Sequence, residues 1–299
     1  VFLGIMLGVA AAFFVDLIDR SLKTVKEARS IFGYPLLGMI PHFEASNGIE
    51  LDTVSGISPR VIVASSPRSI LHEAYQMLWA NLRFTSSDKR VRTIVITSSV
   101  PQEGKSEVSA NLAATIAQAG RRVLLVDADL RHPSQHHLWD RVNSQGLSNL
   151  IAGQGEVSET IQVINSNLSV LTAGAIPPNP SALLDSEAMV ALIEQFSQDY
   201  DYILLDSPPL AWVADAAVLG KMVDGVVVVV RPGVVNSATA TAAKTLLSRS
   251  APNVLGLVAN DVDVSHEPDG FFYYSANPSE TEAERPKGLS RVTRSLTAR

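Results

Sequence analysis

Cysteine is absent from this chain. That excludes disulfides, thiolate metal centres and a cysteine nucleophile, and it fits a reducing compartment. A dense basic stripe is missing as well, and a formal net charge of −6 offers no field attractive to nucleic acid, so none is expected as a partner. The apolar-poor composition of a disordered chain is also lacking: with 299 residues, 46% apolar and 18% charged, one globular domain with attachments, or two small domains, can bury a sizeable core. Position 1 carries no initiator methionine; the sequence opens inside an apolar run, Val1 to Val15, and meets its first charge at Asp16. This reads as a fragment that begins within a transmembrane helix, because the residues short of the roughly 20 needed to span a bilayer lie on the apolar side. Arg20, Lys23, Lys26 and Arg29 follow the run instead of preceding it, which argues against a signal peptide and puts the later chain in the cytoplasm. A buried helix is the competing reading of the run.

A strict search for the phosphate-loop pattern G-x-x-x-x-G-K-[ST] fails, since Ser99 stands where its first glycine belongs. Yet Thr97-Ser98-Ser99-Val100-Pro101-Gln102-Glu103-Gly104-Lys105-Ser106 lies between an apolar run ending near Ile96 and an amphipathic, Ala-rich stretch from Val108 to Ala119. That is the order strand, phosphate loop, helix. Backbone amides and a helix N-terminus can hold a polyphosphate without a flexible chain having to be ordered around it. In that arrangement Gly104 lets the backbone come close, Lys105 bridges the terminal phosphates and the Ser106 hydroxyl is placed to ligate Mg²⁺.

From His42 to about Arg68 the chain is rich in Ser, Gly, Pro and Asn and reads as a linker. Ser69 to Phe84 has helical spacing, with Ser69 as N-cap. Strand and helix signals then alternate: strands at 91–97, 122–127, 168–172, 201–206, 225–231 and 254–260, with helices at 105–119, 186–198, 214–222 and 237–248. The expected fold is α/β, a P-loop NTPase-type, mostly parallel sheet with helices on both faces, preceded by the transmembrane helix; ligands gather at the carboxyl ends of its strands. Beyond His266 the composition changes to a mixed-charge tail read as mobile.

Two apolar quartets end in acid: Val123 to Val126 in Asp127-Ala128-Asp129, and Tyr202 to Leu205 in Asp206. One such end is often a surface cap on the sheet, but two downstream of a Gly-Lys-Ser loop point to a site. Mg²⁺ takes oxygen ligands and keeps most of its waters, so Ser106 with one or two carboxylates suffices. Asp206 is the choice for orienting the metal. Asp127 is placed near the terminal phosphate, to contact the metal or accept a proton, and Asp129 shares that work or holds Arg131. His132, His136 and His137 lack an evident third ligand and are not read as a metal site.

The loop, Asn111-Leu112-Ala113, the run Val126 to Pro133, Pro177-Pro178-Asn179-Pro180 with Leu183-Leu184, and Asp206-Ser207-Pro208-Pro209 together resemble the bacterial tyrosine autokinases of capsule and exopolysaccharide assembly. The apolar run with Leu36 to Pro41 is similar to their second membrane helix and its cytoplasmic exit. The resemblance implies an inner-membrane polysaccharide co-polymerase with a cytoplasmic domain that binds ATP and Mg²⁺ and phosphorylates C-terminal tyrosines of neighbouring copies. By position it assigns ATP binding to Gln102, Glu103, Gly104, Lys105, Ser106 and Glu107. Catalysis falls to Lys105, Asp127, Asp129 and Asp206, Mg²⁺ to Ser106, Asp206 and Asp127, and the acceptor role to Tyr273 and Tyr274. The implied domains are the end of a membrane helix at 1–18, a juxtamembrane segment and linker at 19–68, the kinase domain at 69–265 and the tail at 266–299. The implied partners are further copies in a ring, the polysaccharide polymerase and export machinery, a tyrosine phosphatase and the membrane. Related partitioning ATPases carry an extra lysine where this chain has Val100. The chain departs from the family at Gln102, usually glycine, and at Gln76 and Trp79, where the oligomerisation helix carries arginines after Glu73; a ring built on that pairing is expected to be weaker. The rival reading is a nucleotide-sensing regulatory subunit of a polysaccharide exporter, without useful kinase turnover.

Overall fold

The computed structural model describes residues 21–42, 57–61, 63, 69–85 and 90–263. The expected membrane run, the tail and Tyr273 and Tyr274 lie outside these residues. Among those described, no helix is long and apolar enough to cross a membrane.

One eight-stranded sheet organises the domain. In chain order its strands are β1 (Leu36–Pro41), β2 (Thr93–Ser98), β3 (Val123–Asp127), β4 (Gln162–Val163), β5 (Leu168–Leu171), β6 (Tyr202–Asp206), β7 (Gly225–Val230) and β8 (Val254–Val262). Their spatial order is β1-β8-β7-β2-β6-β3-β5-β4, and every pairing is parallel except β4 with β5. The central strands are continuous apolar runs because both of their faces are covered, as the five valines from Val226 to Val230 show, none more than 1% exposed. Helix α3 (Lys105–Gln118) is buried on all sides from Val108 to Ala117, which explains its Ala-rich sequence: small side chains let a helix lie close on the sheet.

The linker and the boundary at Ser69 differ from expectation. Helix α1 (Val25–Phe32), capped by the Thr24 hydroxyl and ended by Gly33 at φ 72°, leads directly into β1. β1 pairs with β8 at the edge of the sheet, so the strand at 36–41 belongs to the same fold as the residues after 69. Helix α2 (Ile70–Phe84) packs Leu71, Ala74, Tyr75, Leu78 and Leu82 inward. Gly38 permits this approach, since a Cβ there would sit 3.2 Å from that of Leu78. Residues 57–61 and 63 are tied down: Val61 and Val63 are fully buried, Asn111 Nδ2 donates to the Arg60 carbonyl (2.9 Å), and Asn111 Oδ1 accepts from the Val63 amide (3.1 Å). Composition concealed these contacts because their partners lie about fifty residues away on α3.

Candidate active site

β2 feeds the phosphate loop, and α3 begins as the loop ends. Gly104 is the N-cap of α3 at φ 84°, with no side-chain cap on the helix. The first-turn amides are therefore left for a ligand at the positive end of a 14-residue helix. A side chain at 104 is impossible without rearrangement: a Cβ would fall 2.0 Å from Asn260 Nδ2. That amide donates to the Glu103 carbonyl (3.0 Å), pinning the loop to the end of β8. Gln102 adopts φ 66°, a region that non-glycine residues enter at a cost.

Glu103 has turned inward. It is fully buried, and its carboxylate accepts from the Val100 amide (2.7 Å) and the Arg231 amide (3.2 Å). Burial pushes its pKa up to about 7, although these amides oppose the shift. Its side chain thus shapes the loop from behind, while its neighbours Gln102 and Gly104 line the cavities in front.

Lys105 reaches the acidic strand ends. Its Nζ lies 2.9 Å from Asp129 Oδ2, 3.4 Å from Asp206 Oδ1 and 3.1 Å from Ser106 Oγ. Burial alone would lower its pKa; Asp206, Asp129 and Asp127 more than reverse that and raise it. Asp127 and Asp206 are register partners on β3 and β6, so their side chains project side by side at the carboxyl rim. Burial raises the pKa of Asp127, and the charge of Asp206 adds to the effect. Asp127 accepts from the Ser134 and Gln135 amides (both 2.9 Å), whereas Asp129 makes the direct contact with Lys105. Arg131 is held by Asp215 (3.1 Å) and Ser181 (2.9 Å), not by Asp129. Glu107 pairs with Arg60 at 3.0 Å.

Lys105, Ser106, Asp127, Asp129 and Asp206 are therefore brought together. Sequence reasoning missed Gln135, whose Nε2 bonds Asp206 (2.8 Å) and the Ser106 carbonyl (3.0 Å). It also missed Asn260, although Asn260-Asp261 after an apolar run is a third polar strand end of the kind already used twice. Two cavities flank the loop. One, of about 440 Å³, lies on the β3 and β6 side and is lined by Lys105, Asp129, His132, Pro209 and Trp212. The other, of about 610 Å³, lies on the β8 side and is lined by Gly104, Arg231, Asn260 and Asp261. Among the described residues no cluster of three or more His, Cys, Asp or Glu could by itself hold a metal ion.

A family model described as ParA, NUBPL iron-transfer P-loop NTPase, matches residues 90–269. The putative tyrosine-protein kinase CapB of Staphylococcus aureus is 37% identical over 221 residues, 74% of this chain and 96% of CapB. Tyrosine-protein kinase YwqD of Bacillus subtilis is 37% identical over 220 residues, 73% of this chain and 93% of that relative. The solved kinase domain of the Escherichia coli tyrosine kinase ETK superposes with a TM-score of 0.74 at 31% identity, covering 80% of this chain and 95% of that domain. Such likeness, over nearly the whole length of the relatives and on a shared P-loop fold, shows that this chain belongs to the bacterial tyrosine-protein kinase family.

Proposed function

We propose that this chain transfers the γ-phosphate of ATP to tyrosine side chains of neighbouring copies, acting as a membrane-anchored autokinase of capsule or exopolysaccharide assembly. The observation that carries the reading is the uncapped α3 terminus beside Lys105, with Asp129 and Asp206 within reach of the same ammonium. Gln102, Glu103, Gly104, Lys105, Ser106 and Glu107 form the ATP-binding stretch, with Glu103 acting through the shape of the loop. The nucleoside occupies the cavity on the β8 side, where Asn260 and Arg231 offer hydrogen-bonding groups. Ser106, Asp206 and Asp127 fit Mg²⁺: they are hard oxygen donors, and the two carboxylates stand side by side as register partners at the ends of β3 and β6. The metal supplies charge neutralisation at the phosphates.

In the transfer, the tyrosine oxygen forms a bond to the γ-phosphorus while the bond from that phosphorus to the β–γ bridging oxygen breaks and ADP departs. Lys105 and the loop amides hold the charge that develops on the phosphoryl oxygens. Asp129 or Asp127 takes the phenolic proton. Tyr273 and Tyr274 are the proposed acceptors. The proposed setting is the inner membrane with the kinase domain cytoplasmic, in a homo-oligomer that answers to the export machinery and a tyrosine phosphatase.

Incubation of purified protein with radiolabelled ATP and Mg²⁺ tests this reading beside Lys105→Met and a Tyr273→Phe/Tyr274→Phe double variant. Wild type should acquire phosphotyrosine, and both variants should lose it. Unlabelled wild type that still binds ATP would turn the assignment toward a regulatory nucleotide-binding subunit. Label persisting in the double variant would move the acceptor site elsewhere.

A further inference from the structure

Trp212 stands on the loop between β6 and the helix Asp215–Leu219 with 59% of its surface exposed. That loop is fixed: Leu210 and Ala211 donate their amides to the carbonyls of Ser98 (2.8 Å) and Ser99 (2.9 Å), tying it to the start of the phosphate loop. The indole meets the His132 ring edge-on, with centroids 5.9 Å apart and planes at 67°. The His132 amide donates to Asp129 Oδ1 (3.0 Å), and the other oxygen of that carboxylate holds Lys105. An exposed indole is thus linked through two intervening residues, His132 and Asp129, to the phosphate-binding ammonium, over a cavity whose other walls include Pro101, Leu138 and Pro209. An indole exposed on the wall of the cavity that also holds Lys105 and Asp129 offers stacking area to an aromatic ligand.

We propose that Trp212 and His132 form the platform on which the acceptor tyrosine's phenol ring lies during transfer; this rests on the kinase reading above. Strand order assigns the two cavities. The β8 side offers amide, guanidinium and carboxylate groups suited to a nucleoside, whereas the β3 and β6 side holds Asp129 and Asp206, which Lys105 ties to the terminal-phosphate end. An aromatic ring resting on Trp212 is therefore on the side where its hydroxyl meets the γ-phosphate. Stacking and edge-to-face contacts are sequence-tolerant, so the platform selects an aromatic side chain more than a particular flanking sequence.

The test uses the full chain and a synthetic peptide of residues 267–279, which contains Tyr273 and Tyr274. KM is measured separately for peptide and for ATP in wild type, Trp212→Ala, Trp212→Phe and His132→Ala. Trp212→Ala should raise the peptide KM roughly 3- to 10-fold, leave the ATP KM within about twofold of wild type, and be largely rescued by phenylalanine. His132→Ala should give a smaller rise of the same kind. An unchanged peptide KM in Trp212→Ala with label still transferred overturns the platform. So does a rise confined to the ATP KM, which would make Trp212 part of the nucleotide site. Absence of tyrosine labelling in wild type would instead sink the kinase reading, and this inference with it.

Discussion

Glu103 shows how a loop residue can carry more than ligand contacts. Its carboxyl has a folded pKa near 7 against an ordinary 4.5. Between those values the folded state binds more protons than the unfolded state, so this group makes stability rise as pH falls from about 7 toward 4.5. The swing is worth about 3 kcal/mol at 1.36 kcal/mol per pH unit. Glu103→Gln should flatten that part of the profile, as seen by denaturant unfolding of both proteins at pH 5 and pH 7.5. Gln102 offers a second measurement: at φ 66°, Gln102→Gly should stabilise the chain by up to about 1 kcal/mol and shift the denaturant midpoint with an unchanged slope. Gly104→Ala should do the reverse and abolish nucleotide binding, because both its φ and the Asn260 amide forbid a Cβ. Lys105 and Ser106 were legible in the sequence because a helix N-terminus imposes their spacing locally. The inward turn of Glu103 was not, since its partner amide at Arg231 lies just past the end of β7, 128 residues away.

The elements divide in the same way. Six of the eight strands stood out as apolar runs between turns, and α3 and α2 as periodic stretches, because burial on both faces or on one face writes itself into composition. β1 did not: Leu36-Leu37-Gly38-Met39-Ile40-Pro41 is short, contains both glycine and proline, and is a strand only because β8 accepts it in parallel register. β4, with two residues, is shorter still. A chain truncated to begin at Ser69 would lose β1 and α1 and uncover the edge of β8 together with the inner face of α2. It should therefore unfold at a lower temperature than one beginning at Ser21 and self-associate, which calorimetry and sedimentation can check. Gly38→Leu is the milder version, pushing α2 off the strand without deleting anything, and should cost about 1–3 kcal/mol.

At the scale of the molecule, the sheet gathers at one rim the groups that the proposed transfer uses: the loop after β2, the carboxylates at the ends of β3 and β6, and the polar end of β8. Lys105 faces Asp127, Asp129 and Asp206 together, three acidic groups against one ammonium. Before any ligand arrives, the ammonium among these acidic groups is already engaged by Asp129 and Asp206. A bare nucleotide brings yet more negative charge and has to compete with Asp129 and Asp206 for that cation. A nucleotide already carrying a divalent ion meets the carboxylates as an asset. We therefore expect metal and nucleotide to dock as one complex. ATP plus Mg²⁺ should stabilise the chain by about 2.7 kcal/mol at a hundredfold excess over Kd, and chelating the metal should remove most of that gain although the nucleotide remains.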